Sequence, residues 1–354
     1  MSLRERIAAR IASQGPISVA EYMTECLLHP EFGYYTTHPS IGAEGDFVTA
    51  PEISQMFGEL VGLCLAQAWI DQGSPSAVTL AELGPGRGTL MADLLRATRG
   101  VPGFAEAGDV VLVEAAPRLA AVQDETLAGH SFRRVADIAA LPEDAPLFLV
   151  ANEFFDALPI RQFVRAGDGW RERRVGLDQA GDLHMGLGPA LPVPALDHRR
   201  EDTQDGDLVE TAPASEAVAE AVGRRIVARG GAALIIDYGD WRSLGDTFQA
   251  LHNGASADPL AHPGAADLTA HVDFEVIARA APCAHTRLTP QGVFLERLGI
   301  TGRAQALAGR LSEDRLGAHV AAHRRLTHPD EMGNLFKVLG LYPNDAVPPP
   351  GLDP

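Results

Sequence analysis

The run Val78-Thr79-Leu80-Ala81-Glu82-Leu83-Gly84-Pro85-Gly86-Arg87-Gly88-Thr89-Leu90 constrains this chain more than any other stretch. It begins as a β-branched, apolar segment, passes an acid and three alternating glycines, and enters a helical pattern from Leu90 to Leu95. This reads as a buried strand, a tight turn and a helix N-terminus. Glycine lets the backbone take positive φ and lets a ligand press against the main chain. The helix start adds unpaired N–H groups. Two ligand classes use that geometry. Dinucleotides place a pyrophosphate there and prefer G-x-G-x-x-G. S-adenosylmethionine sites use an acid followed by G-x-G-x-G, the form made by Glu82, Gly84, Gly86 and Gly88.

Further predicted strands extend the pattern. Val110 to Val113 ends in Glu114, Phe132 to Val135 is followed by Asp137, and Leu147 to Ala151 leads into Asn152-Glu153-Phe154-Phe155-Asp156. Ala233 to Gly239 is a fifth strand, and Leu335 to Leu339 reads as a late one. Strands alternating with helical patterns predict a doubly wound, mostly parallel sheet with its ligand at the strand C-termini. The expected class is α/β, Rossmann-like. An N-terminal helical and lid region covers 1–75, and the first part of the core covers 76–159. An antiparallel insertion at 160–208 lies near the substrate site, and the second part of the core, with helical additions, covers 209–354. In the N-terminal region, Ser2-x-x-Glu5 and Thr49-x-x-Glu52 have capping-box form. Residues 29–52 are rich in Gly and Pro and are expected to fold over the ligand as a lid.

Candidate site residues sit where the strands end. Glu114 can accept both ribose hydroxyls of an adenosine ligand, and Asp137 can accept its adenine amino group. Thr49 heads a helix whose N-terminus could hold an amino-acid carboxylate. Glu153 and Asp156, with Asn152, stand where an acceptor would meet the cofactor, and a carboxylate takes a guanidinium bidentately. A helix cap by Asp156 is the plainer alternative. Glu210, after the insertion, is a candidate to face the substrate. His319-x-x-x-His323 has metal-ligand spacing but lacks a third ligand, so no metal is expected.

A formal net charge of -18 argues against nucleic acid as a partner, since that contact rests on Lys and Arg neutralising phosphates. It suits a cationic substrate. The 3 cysteines show no zinc or disulfide spacing, which points to a reducing compartment. No apolar run has the length of a membrane span. The Arg-containing start Met1 to Ser13 reads as an ordinary first helix rather than a targeting segment.

Several stretches together resemble the MidA-like methyltransferases: Ser18 to Met23, Pro30 to Tyr35, Gly45 to Glu52, Glu82 to Leu90, Ala151 to Pro159, Asp267 to Phe274 and Met332 to Lys337. The likeness runs from about residue 15 to about 340. It implies a class I fold dependent on S-adenosylmethionine, with Gly84, Gly86 and Gly88 as the cofactor turn, Glu114 as the ribose acid, and Asn152, Glu153 and Asp156 as the strand-four motif. The family includes a mitochondrial assembly factor of respiratory complex I. The resemblance therefore implies a protein substrate, symmetric dimethylation of an arginine on the 49-kDa-type subunit, and a role in complex I assembly. The expected compartment is the bacterial cytoplasm, or the mitochondrial matrix in a eukaryote. The other readings are a methyltransferase for a different protein or small molecule, and an assembly chaperone that binds the cofactor without turnover. The oligomeric state is not legible.

Overall fold

The structure is a computed structural model that describes residues 1–37 and 48–354. Residues 38–47, which include Pro39, Gly42 and Gly45 of the expected lid, lie outside the described residues. The chain divides into two compact units. The first comprises Met1–Ser40, Asp156–Ser215 and Arg242–His271; the second comprises Ile41–Phe155, Glu216–Trp241 and Val272–Pro354. The boundaries expected from sequence differ, because both units are assembled from segments far apart in the chain.

The second unit holds the main sheet. Its principal strands are β1 (Val78–Leu83), β2 (Gly108–Val113), β3 (Arg133–Val135), β4 (Leu147–Asn152), β5 (Gly231–Asp240) and β6 (Phe336–Tyr342). Their spatial order is β6-β5-β4-β1-β2-β3. Contacts from β3 through β5 are parallel, and β6 runs antiparallel to β5. Every residue of β1 and β4 is buried. That is the reason these strands read as continuous apolar runs: helices cover both faces of a parallel sheet. Chain order reverses at β1, which lies between β4 and β2. This is a topological switch point, where such sheets bind ligands beyond the strand C-termini.

Two helices pack together in this unit. In α1 (Gln55–Asp71), Phe57, Leu60, Val61, Cys64 and Leu65 are buried, and α2 (Thr89–Thr98) buries Leu90, Met91, Leu94 and Leu95. Gly62 allows their close approach, since a Cβ there would lie 2.8 Å from Leu94 Cγ. Asp273 caps the helix Phe274–Ala280, as its position predicts, with its carboxylate accepting from the Val276 N–H at 3.2 Å.

The first unit is an antiparallel structure. Arg161–Ala166, Gly169–Leu177 and Leu183–Leu191 form the expected meander, joined by Ile17–Ser18 and Leu208–Thr211. A second small sheet pairs Gln249–His252 with Ala255–Ala257 and Asp267–Thr269, in a region whose sequence shows little regular pattern. Its core is Ile7, Ile11, Val19, Tyr22, Met23, Ile160, Val175 and Leu268. The N-terminal helices Leu3–Gln14 and Val19–Leu28 both begin with formed capping boxes, from Ser2–Glu5 and Ser18–Glu21.

Candidate active site

The cofactor turn leaves β1 at Gly84. Gly84, Gly86 and Gly88 have φ of 62°, 51° and 82°, the left-handed region that only glycine enters without strain. The Gly84 N–H donates to Val113 O at 3.0 Å, fastening the turn to the end of β2. Gly88 then heads α2, and no side chain caps that helix. In its first turn the Met91 N–H bonds to the Glu82 carboxyl at the end of β1. The Thr89 hydroxyl donates to Glu52 at 2.5 Å, tying the start of α2 to the short helix Ala50–Ile53.

Two acids flank the turn. Glu82 is only 3% exposed, and burial, with repulsion from Glu114, raises its carboxyl to about 8. Its Oε2 is buried with no hydrogen-bond partner among the described residues. An orphaned acceptor of this kind costs free energy until a donor arrives. Glu114 follows β2, and burial moves its carboxyl upward too. One of its oxygens accepts from the Ala116 N–H at 2.7 Å.

The end of β4 carries the next group. Asn152 Nδ2 donates to Glu153 Oε1 at 3.1 Å, while Asn152 Oδ1 is buried without a partner among the described residues. Glu153 has φ of 51°, rare for a residue with a side chain. Its N–H donates to Ile236 O on β5 at 2.9 Å. Its carboxylate also accepts from the Ala50 N–H at 2.9 Å. Burial raises this carboxyl to about 7, against the lowering effect of the Ala50 and Asn152 donors.

Asp237, which the sequence reading passed over, holds this turn in place. It is fully buried on β5, and its Oδ2 accepts from the N–H groups of Phe154 at 3.1 Å and Phe155 at 2.9 Å. The available signal was an acid inside the apolar run Ile235-Ile236-Asp237-Tyr238, since a buried charge requires partners.

Four expectations change. No capping box forms at Thr49: its side chain makes no cap bond, and Glu52 is engaged by Thr89 instead. The Ala50 N–H beside it is taken by Glu153, so that helix start offers less to a ligand carboxylate than Thr49 suggested. Asp156 caps no helix, because irregular turns follow β4; it is buried in the first unit, where its carbonyl accepts from the Ala270 N–H. Asp137 is exposed, and one of its oxygens caps the turn Ile138–Ala140 through the Ala139 N–H at 2.8 Å. Its other oxygen keeps its full accepting capacity for an adenine amino group. Glu210 also lies in the first unit, and both its oxygens are engaged, by Gln162 and Thr247. His319 and His323 bond to Ala304 O and the Thr301 hydroxyl.

In the second unit, the strand C-termini thus bring together a glycine cradle, an orphaned buried carboxylate oxygen, a second acid one strand away, and a strained glutamate. Residues 60–293 match a family model described as "Putative S-adenosyl-L-methionine-dependent methyltransferase". The chain belongs to this family. It is 36% identical to the mitochondrial protein arginine methyltransferase NDUFAF7 of Xenopus laevis, over 98% of this chain and 85% of that protein. It is 38% identical to the protein of the same name from Danio rerio, over 95% of this chain and 86% of that one. A crystal structure of a Burkholderia thailandensis protein bound to S-adenosyl-homocysteine superposes with a TM-score of 0.83 at 30% identity, covering 97% of this chain and 92% of that one. The fold is that of a class I methyltransferase, and the chain is an S-adenosylmethionine-dependent enzyme. The glycine turn fits that cofactor, and the free oxygen of Glu82 can accept from its ammonium group. No helix among the described residues is long and apolar enough to cross a membrane.

Proposed function

We propose that this enzyme methylates an arginine side chain of a protein, and that the target is the 49-kDa-type subunit of respiratory complex I, whose assembly the modification serves. The reading is supported by Glu153, a carboxylate held at the C-terminal end of β4 with a carboxyl raised to about 7. The relatives named above as protein arginine methyltransferases support the acceptor class. The compartment would be the bacterial cytoplasm, or the mitochondrial matrix in a eukaryote.

In this reading Gly84, Gly86 and Gly88 receive the cofactor's amino-acid end, Glu82 accepts from its ammonium group, and Glu114 accepts from its ribose hydroxyls. Asp137 and Thr49 serve the adenine and carboxylate ends only through the atoms that their local bonds leave open. When bound, S-adenosylmethionine supplies a methyl group on an electron-poor sulfonium. Guanidinium is a weak nucleophile because its lone pairs are delocalised and it stays protonated. Glu153 must hold it, draw positive charge toward the far nitrogens and leave the near nitrogen with electron density for attack. A carboxylate with a raised pKa can also take the proton that nitrogen releases on methylation. Asn152 Nδ2 orients the Glu153 carboxylate for both tasks.

The test is labelled-methyl transfer to the isolated 49-kDa-type subunit, with mass spectrometry of the product. Dimethylation of one arginine by wild-type enzyme supports the reading. Cofactor binding with no methylation of any complex I subunit would replace it with the assembly-chaperone reading.

A further inference from the structure

Gln123 lies on the helix α3 (Ala120–Thr126) and is 0% exposed. Its Nε2 donates to Gly86 O at 2.8 Å and, more weakly, to Glu114 Oε2 at 3.4 Å. Its Oε1 accepts from Arg134 Nε at 2.7 Å. Arginine only donates, so this bond fixes which way the amide faces: oxygen toward Arg134, nitrogen toward the turn and the acid. Arg134 is itself anchored on β3, where it donates to Ala120 O at 2.8 Å and pairs with Asp124. One buried side chain thus touches the glycine turn after β1, the acid after β2 and a cation from β3.

We propose that Gln123 is a positioning residue of the cofactor site, an oriented amide that holds the Gly86 carbonyl and the Glu114 carboxylate in register, with Arg134 setting its direction. The inference rests on the reading of Glu114 as the acid that accepts from the cofactor. The chemistry admits few substitutes. The position needs two donors, for a carbonyl and a carboxylate, and one acceptor, for a guanidinium. A carboxylate lacks the donors, an ammonium lacks the acceptor, and a thioether lacks the donors and is only a weak acceptor.

The proposal has a pH signature. Glu114 faces the carboxyl of Glu82 on β1, which its own charge pushes upward, and Arg118 in the turn Pro117–Leu119, which attracts it. The Gln123 donor and the Ala116 N–H favour its charged form against burial. Removing the amide therefore favours the protonated acid, and cofactor affinity should begin to fall at a higher pH.

Calorimetry of the full chain with S-adenosylmethionine from pH 5 to 9 tests this, with thermal unfolding of cofactor-free protein as the check on folding. Gln123→Met should bind about 10-fold more weakly at neutral pH, the scale of a lost bond to a charged or loop-fixing acceptor. Its acid-side loss of affinity should start at higher pH than in wild type. Gln123→Glu should lose more, because an added carboxylate would face the Gly86 carbonyl and Glu114. Should Gln123→Met fail to fold, Arg134→Met leaves Gln123 in place and only frees its orientation. It should weaken binding by about 3-fold with the same direction of pH change. Affinity within 2-fold of wild type and an unshifted profile, in whichever variant folds, would overturn the proposal. Glu114→Ala separates the two ideas: if it binds cofactor normally, the reading of Glu114 fails; if it binds weakly while Gln123→Met is normal, only the role of Gln123 fails.

Discussion

A left-handed backbone at a glutamate costs of order 1–3 kcal/mol and persists only where its surroundings impose it. At Glu153 they do: the N–H is fixed to Ile236 O, and Asp237 grips the next two N–H groups. The side chain also gives up hydration, which raises its carboxyl to about 7. Glu153→Gln keeps the shape and removes the charge. Methyl transfer should then fall by roughly 10²–10³-fold, the scale of one lost preorganised electrostatic contact, while cofactor affinity in calorimetry stays near wild type. In wild type, kcat/KM should rise with pH through about 7 as the free enzyme's carboxyl ionises. The variant should lack that step, and an unchanged rate and profile would take Glu153 out of the mechanism. Stability should move the other way. The folded carboxyl is raised above the usual 4.5, so its contribution is fully present below 4.5 and is lost as pH rises through about 7. Glu153→Gln should therefore gain on wild type between pH 4.5 and 8 by on the order of 3 kcal/mol in denaturant unfolding of the cofactor-free protein.

At the level of elements, the glycine turn is where sequence and structure agree most closely. Strand, turn and helix all come from residues adjacent in the chain, so local chemistry settles them. Gly86→Val would force a β-branched residue to a φ of 51° and should abolish cofactor binding in calorimetry. Gly84→Ala tests a longer link: its new Cβ would lie 2.9 Å from Phe154 Cδ2, at a φ of 62°. It should disturb both the turn and the motif after β4, costing about 1–2 kcal/mol of stability and weakening cofactor binding together. Wild-type values of both would show that Phe154 yields freely. The segment around Thr49 was less legible for the opposite reason. Its capping box is sound by local rules, but bonds from Thr89 and Glu153, far away in the chain, claim Glu52 and the Ala50 N–H. The helix breaks at Ser54, which caps α1 by accepting from the Met56 N–H at 3.3 Å. The left-handed turn at Glu153 was hidden likewise, since only β5 explains it.

At the scale of the molecule, sequence order conceals how the chain is divided. The main sheet was readable because its central parallel strands β1 and β4 are buried along their whole length and read as long, mostly apolar runs. The first unit was only partly so. Its meander has alternating strands and Gly-Asp turns, yet Ile17–Ser18 pairs with Arg174 and Val175, and Gln249–Leu251 pairs with Asp267–Thr269 across a patternless loop. Pairings of that kind leave no periodic mark. Net charge, by contrast, is a property of the whole chain that composition gives outright. At -18 it sets up an attractive field for a cationic protein segment. Added salt screens such a field once the Debye length falls below the distances involved. For a basic acceptor peptide, KM should therefore rise several-fold, about 3–10, between 50 and 300 mM NaCl, while kcat changes little. Cofactor affinity, set by short contacts inside a closed turn, should move by less than about 2-fold over the same range. Replacing the lysines that flank the acceptor arginine with glutamine should remove most of the salt effect on KM. A KM flat in salt for the basic peptide would mean that the acidic surface serves solvation alone, and that the acceptor is recognised only by contacts at the site.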